Sequence, residues 1–332
     1  MNFSSIKGYL AFFLVLLGGC AALPSDVLGE RSGVIRGKEY VIHEAGVGDT
    51  WAGLAETYLQ DKNKDWLIAD FNKENEIVPG RQIVIPLIHP NPVGVFPTGY
   101  QTVTILCYHR FGPNKSKMEI TGEDFNTQMN YLKKNGYRVI PLSSIPPFLR
   151  GESALPKRAV ALTFDDGYRS SYDIAYPILK KYGFPATLFI YSDFIGSKDA
   201  LTCPQMKEMI NSGLVDIQPH SKTHISLTKQ LPTEDEGDRL KRMDTEINAP
   251  AQQIQKMLGV SIHTFAYPFG DSNKLLISSL KSANYKAAVT VHSGGNPSFA
   301  YPFELKRTMI FGNGDMNTFI SKLEVFKPQN LR

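Results

Sequence analysis

The hydrophobic pattern divides the chain into blocks of different period. Tyr9–Leu17 is an unbroken apolar run behind a single charge, Lys7, and it ends at Gly18-Gly19-Cys20. The run is far shorter than the ~20 residues a bilayer requires, and residues 1–19 have the shape of an export signal. Residues 20–38 contain Gly, Ser and Pro, show no period, and read as a tether. Residues 39–87 form a compact pattern. A β-like stretch, Glu39–His43, leads to a turn and helix start at Gly48-Asp49-Thr50, after which Trp51, Leu54, Ala55 and Tyr58 recur at helical spacing. Trp66, Ile68, Ala69 and Phe71 predict a second helix ending near Asn72. Pro79-Gly80 then predicts a turn, and Gln82–Pro86 a closing strand with Ile83 and Ile85 on one face. Residues 88–101, rich in Pro and Gly, read as a linker.

From residue 102 to residue 332 the pattern alternates. Strand-like runs at Thr102–Cys107, Ala159–Phe164, Ala186–Tyr191, Leu214–Ile217, Thr264–Tyr267 and Ala287–Val291 are separated by helix-like segments. Those segments are Glu123–Lys134, Ser171–Tyr182, Pro204–Asn211, Arg239–Leu258, Asn273–Ala283 and Asn317–Phe326. Alternation of this kind predicts an α/β fold with a parallel sheet, and about seven repeats suit a distorted (β/α) barrel. In such barrels chemistry gathers at the carboxyl ends of the strands.

Composition adds little. The chain has 332 residues and a formal charge of +4, with no basic stripe of the kind nucleic-acid binding needs. Beyond Cys20 only Cys107 and Cys203 remain, in apolar surroundings, where a small buried thiol is the usual outcome.

Chemistry concentrates in two places. Leu162-Thr163-Phe164-Asp165-Asp166-Gly167 ends a strand with adjacent carboxylates before a glycine turn. Ile217-Gln218-Pro219-His220-Ser221-Lys222-Thr223-His224 follows another strand and sets two histidines four residues apart, a spacing that stacks both rings on one side of a helical turn. Two imidazoles and a carboxylate form a catalytic zinc set with a position left open for water.

These segments resemble the NodB-homology domain of the polysaccharide deacetylases (carbohydrate esterase family 4). Thr163–Gly167 matches the first motif of that family, His220-Ser221-x-x-His224 the second, and Phe265-Ala266-Tyr267-Pro268-Phe269-Gly270 the third. The resemblance implies a metal-dependent hydrolase that removes N-acetyl groups from N-acetylglucosamine in peptidoglycan or an exopolysaccharide. It implies Asp165 as general base, Asp166, His220 and His224 as ligands of a divalent metal, with Zn2+ suited to them, and the Phe269 backbone N–H at the oxyanion, with Tyr267 beside it. Two departures stand out. Ala266 replaces the usual base-orienting arginine, leaving Arg307 to orient Asp165 from another strand, and the usual late histidine motif is missing from Arg307–Gly312. His292 is the candidate substitute acid. Thr104–Arg110 resembles the opening strand of deacetylases acting on poly-β-1,6-N-acetylglucosamine, which makes His109 a pocket residue. Residues 39–87 resemble a LysM domain, a module that binds N-acetylglucosamine-containing glycans. Leu17–Cys20 resembles a bacterial lipobox, implying a lipidated Cys20 and a membrane anchor, with Ala21 favouring the outer membrane.

Two other readings compete with this one. The first is a glycan-binding lipoprotein that keeps the deacetylase fold as a scaffold. The second is a metal-dependent deacetylase of small molecules with residues 39–87 as a spacer.

Overall fold

In the computed structural model of this chain the described residues are 34–74 and 76–331. The export signal, Cys20 and most of the tether lie outside them. Among the described residues no helix is long and apolar enough to cross a membrane.

The first unit begins earlier than the pattern implied. Strand β1 (Val34–Arg36), placed in the tether by sequence, pairs antiparallel with β2 (Tyr40–Glu44). Helices α1 (Trp51–Leu59) and α2 (Asp65–Asn72) follow, and β3 (Gln82–Pro86) pairs antiparallel with β2. Thr50 caps α1 by accepting the Gly53 N–H, a usual way to satisfy a free helix-end donor. Val41, Leu54, Ala55, Ile68, Ile83 and Ile85 form the small core. Asn72 fastens the end of α2 to β3: its amide donates to Ile68 O and Val84 O and accepts the Val84 N–H.

The larger unit runs through β4 (Val95–Phe96), β5 (Gly99–Gln101), β6 (Thr104–Tyr108), β7 (Arg110–Phe111), β8 (Glu119–Ile120), α3 (Gly122–Lys134), β9 (Arg138–Val139) and α4 (Ile145–Leu149). It continues with β10 (Ala159–Phe164), α5 (Tyr176–Tyr182), β11 (Ala186–Ile190), α6 (Cys203–Asn211), β12 (Val215–Pro219) and α7 (Glu236–Leu258). Last come β13 (Thr264–Ala266), α8 (Lys274–Ser282), β14 (Ala287–Val289), β15 (Thr308–Met309), α9 (Met316–Ser321) and β16 (Phe326–Pro328).

Two expected helices end differently. The segment from Ser171 starts as a π-helical stretch, Ser171–Ala175, before α5. Pro177 has no N–H and its ring crowds the carbonyl four residues back, so the ladder widens ahead of it. The helix expected over Asn317–Phe326 stops at Ser321, because Phe326 pairs back to Gln101. That pairing draws the expected linker into a three-stranded clip, β16-β5-β4. A Cβ at Gly99 would meet Lys327 O at 2.2 Å, so only glycine permits the close approach.

The central strands are parallel, in the order β12-β11-β10-β6-β15, with β9 also on β10. Strands β13 and β14 form a separate parallel pair, so the expected barrel does not close as one hydrogen-bonded ring. The local reason lies in β12. The His220 N–H points at Ile190 O of β11, so the alternation aims position 219 at the open side, where proline has no N–H to give. The Gln218 side chain bridges the gap, accepting from His263 N and Thr264 N and donating to Ser261 O.

Both faces of the sheet are buried, and period two sorts them. Leu106, Tyr108, Val160, Leu162 and Phe164 pack outward on the helices. Val103, Ile105, Ala159 and Ala161 face inward with Phe189, Val289 and Leu305.

Candidate active site

The inward rows lead directly into the site. Continuing the row of β10 past Ala161 gives Thr163 and then Asp165; continuing that of β6 past Ile105 gives Cys107 and then His109. Cys107 is the register partner of Thr163. The same interior holds Arg307, fully buried. Its guanidinium donates from Nη1 to Asp165 Oδ1 at 2.6 Å and from Nη2 to Asp165 Oδ2 at 2.7 Å. Further donations reach Thr163 Oγ1 at 3.2 Å and Thr290 O at 2.8 Å. The Cys107 thiol donates to Asp165 Oδ2 at 3.4 Å. Burial alone would raise the Asp165 pKa, but the Arg307 guanidinium, followed by His220, holds it well below the usual carboxylate range. Asp165 is therefore ionised and held in one orientation by a bidentate fork.

Asp166 leaves the alternation. Its φ of 73° and the 81° of Gly167 turn the chain sharply at the strand end. A Cβ at Gly167 would lie 2.8 Å from Ile190 Cγ2, so the turn needs a residue without one. Burial, and then the charge of Asp165, push the Asp166 carboxyl up to about 6.

The two histidines are not on a helical turn, contrary to the sequence expectation. They sit on an irregular loop after β12 in which Ser221 (φ 69°) and His224 (φ 59°) are both left-handed. These two backbone reversals exclude a helix, and the rings converge through loop shape instead, centroids 4.8 Å apart. The His224 N–H donates to Ser221 Oγ at 2.9 Å. Glu246 of α7, almost fully buried, accepts the N–H groups of Lys222 and Thr223 and the Thr223 hydroxyl. Nothing about the histidine spacing pointed to Glu246. The available signal was a carboxylate interrupting the apolar stripe of Met243, Ile247, Pro250 and Ile254 on α7.

One atom each from Asp166, His220 and His224 lie within 4.8 Å of one another. His224 Nε2 is 3.4 Å from Asp166 Oδ1, and His220 Nε2 is 3.8 Å from the same oxygen. The His220 Nδ1 lies 2.8 Å from Ala266 O, the arrangement that leaves Nε2 unprotonated toward the carboxylate. Burial pushes the His220 imidazolium down to about 4, against the pull of Asp165, and burial lowers His224 as well. Neutral imidazoles beside a carboxylate, one oriented by a carbonyl behind it, fit a divalent cation. Cys107, His109 and Asp165 also lie within 4.8 Å of one another. They fit a cation poorly, because Arg307 occupies both oxygens of Asp165 and burial keeps the Cys107 thiol protonated.

The remaining expected residues separate. His109 is partly exposed and adjoins both carboxylates. Phe269, 59% exposed with φ 61°, packs its ring edge-on to His224, and its N–H donates to no group among the described residues. Tyr267, expected beside the oxyanion, and Arg307, expected to orient Asp165, are both fully buried. The Tyr267 hydroxyl is used on Phe303 O and Arg307 on Asp165, so neither is free to meet substrate. His292 is exposed, and its backbone N–H donates to Thr290 Oγ1; no contact joins its ring to the four central residues. Cys107 and Cys203 are both free thiols.

Comparison with known proteins places the same residues in context. Residues 152–288 match the family model described as polysaccharide deacetylase. The poly-β-1,6-N-acetyl-D-glucosamine N-deacetylase of Staphylococcus epidermidis is 26% identical over 219 residues, covering 62% of this chain and 73% of the relative. Among solved structures, the Streptococcus pyogenes deacetylase PplD in complex with acetate is similar with a TM-score of 0.60 and 27% identity, covering 67% of this chain and 98% of that one. IcaB from Ammonifex degensii is similar with a TM-score of 0.60 and 25% identity, covering 68% of this chain and 97% of that one.

Proposed function

From the premise that this chain carries a polysaccharide deacetylase domain and is a polysaccharide N-deacetylase, we propose that it removes N-acetyl groups from poly-β-1,6-N-acetylglucosamine in a metal-dependent reaction. The observation that carries the reading is the convergence of Asp166, His220 and His224 beside an Asp165 held by Arg307. A relative named for this polymer supports the substrate; peptidoglycan is the other N-acetylglucosamine polymer to test.

Asp166, His220 and His224 would hold the cation, and Zn2+ suits that donor set. When bound, it would polarise the acetyl carbonyl and make water a usable nucleophile near neutral pH. Asp165 stays ionised and accepts the proton of the attacking water. The Phe269 N–H faces the developing oxyanion as a fixed donor. His109 stands beside both carboxylates and supplies a proton to the departing amine, a role that His292, which contacts none of the four central residues, does not share. Ala266, in place of the base-orienting arginine, is a ground for the scaffold reading. Arg307 removes that ground by orienting the base from the strand-end segment before β15.

Residues 39–87 hold the glycan as a LysM-like module, and lipidated Cys20 anchors the exported protein to the membrane, facing the envelope polymer. Acetate release from β-1,6 oligomers and from peptidoglycan, measured with metal and after chelation, tests the reading. Release that survives complete metal removal would sink it. Cys20→Ser should move the protein out of the membrane fraction.

A further inference from the structure

Polar contacts from α2 fix the 39–87 unit against the larger one. Asp65, at the start of α2, accepts from Arg138 Nη2 at 2.6 Å. Asp70 O, in its last turn, accepts from Lys157 Nζ at 3.2 Å. A carboxylate at the first turn and an ammonium at the last carbonyls both suit the helix dipole. Trp66, between them in sequence, meets the His89 ring with centroids 6.1 Å apart. The connection is held as well. Asn91 N–H donates to His89 Nδ1 at 3.0 Å, and Gln101 Nε2 donates to Pro156 O at 2.6 Å. A Cβ at Gly151 would come within 3.3 Å of Val93 Cγ1, so that side chain lies close on the Gly151 backbone. Residues 88–101 are strapped along residues 151–157 and leave the unit little slack.

Strand direction says where this dock lies. Arg138 is the register partner of Ala159, the first residue of β10, and Lys157 precedes that strand by two positions. The strand then runs six residues to Phe164, directly before Asp165. At ~3.3 Å per residue the dock and the Asp165-Asp166 turn stand ~20 Å apart, at opposite ends of the sheet. Helix α2 therefore sits behind the site rather than beside it. Val47, Phe71 and Val78 are 94%, 44% and 48% exposed, so apolar ground on the unit away from the dock stays open to a ligand. Such ground suits the C–H faces of sugar rings.

We propose that the 39–87 unit is a rear mount, which holds one N-acetylglucosamine-containing glycan chain at the amino ends of the β-strands while Asp165 and the ligand set act on a separate glycan chain at the carboxyl ends. This rests on the glycan-holding reading of residues 39–87 given above, and adds that the unit does not pass its own glycan to the active site. The enzyme stays fixed to one envelope polymer while it works on another at its opposite face.

The test uses the metal-loaded full chain, insoluble peptidoglycan and a soluble β-1,6-linked N-acetylglucosamine hexamer. The wild type should sediment with peptidoglycan, and saturating hexamer should leave it there. The sedimented enzyme should release acetate from the hexamer with kcat and KM within about twofold of the free enzyme, since the two glycans do not compete. Hexamer that displaces the enzyme, or a KM that climbs with added peptidoglycan, would put both glycans in one site and overturn the proposal. A second measurement reads the geometry. Asp65→Cys and Arg138→Cys, combined with Cys203→Ser to remove the partly exposed thiol, are joined by a short bismaleimide. The joined chain should keep peptidoglycan binding and hexamer turnover; failure to join, or loss of either property on joining, overturns the rear mount. Should the wild type not sediment, the glycan-holding reading fails by itself, and the cross-link alone judges the position of the unit. Should it sediment but release no acetate, labelled hexamer retained in the pellet supports the proposal, and displacement of the enzyme overturns it.

Discussion

The two sides of this site are built on different principles. The Asp165 side continues the regular inward rows of β6 and β10 and is sealed in the core, with Arg307 fully buried and Asp165 nearly so. The side of Asp166, His220 and His224 is built from backbone that departs from regular structure, with positive φ at Asp166, Ser221 and His224. It is held from behind by Glu246 and by Ala266 O. One side buries charge in the core to orient the proposed base. The other uses loop shape to bring the proposed metal ligands together. Substitutions on the first should therefore cost folding as well as turnover, and those on the second mainly metal affinity.

The largest effect is expected from Asp165→Asn, which keeps the shape of the base and removes its charge. Acetate release should fall by about 10²–10⁴, the usual weight of general base catalysis, while metal content after dialysis stays near that of the wild type. Unimpaired turnover would remove Asp165 from the role of base.

Arg307→Ala comes next, because it strands a buried carboxylate. It should cost about 3–5 kcal/mol of stability, read by denaturant unfolding of the apo protein. Adding Asp165→Ala should restore much of that loss, since no unpaired charge then remains; a strictly additive double variant would show that the two residues are not coupled.

His220→Ala and His224→Ala should each lose bound metal on dialysis with a smaller change in apo stability than Arg307→Ala. If either unfolds the apo protein as severely, the contrast between the two sides fails.

The smallest effect should come from Glu246→Gln, whose amide still accepts but no longer carries charge. Metal affinity should weaken by about 10–100-fold, as for other groups that orient ligands from behind. Titration of the apo protein with Zn2+ reads this directly, and an unchanged affinity with lowered stability would make Glu246 a structural residue only.

Much of this architecture was legible beforehand. Alternating apolar runs marked β6, β10, β11, β12, β13 and β14, since burial on both faces leaves near-continuous hydrophobic strands. Short elements were less visible. The pairs β4–β5 and β5–β16 lie in segments with turn-like or helix-like composition; the first is a tight hairpin within a Pro- and Gly-rich stretch, and the second is made by partners far apart in the chain. The helical reading of His220–His224 failed for a related reason: spacing of four is the same in a loop, and only the positive φ values distinguish them.

The chemistry of the site was a property of local sequence. Two carboxylates at a strand end and two histidines after another strand are neighbours in the chain, and the strand ends bring them to one edge of the sheet. What tertiary structure alone decided is the partner of each group. Arg307 reaches Asp165 across 142 residues, and Glu246 reaches the histidine loop from a helix 23 residues away. Periodicity records which face a residue occupies but not which distant residue shares that face. Pairing of buried charges depends on that second fact, because an ion removed from water is tolerated only where its counter-charge has been folded against it.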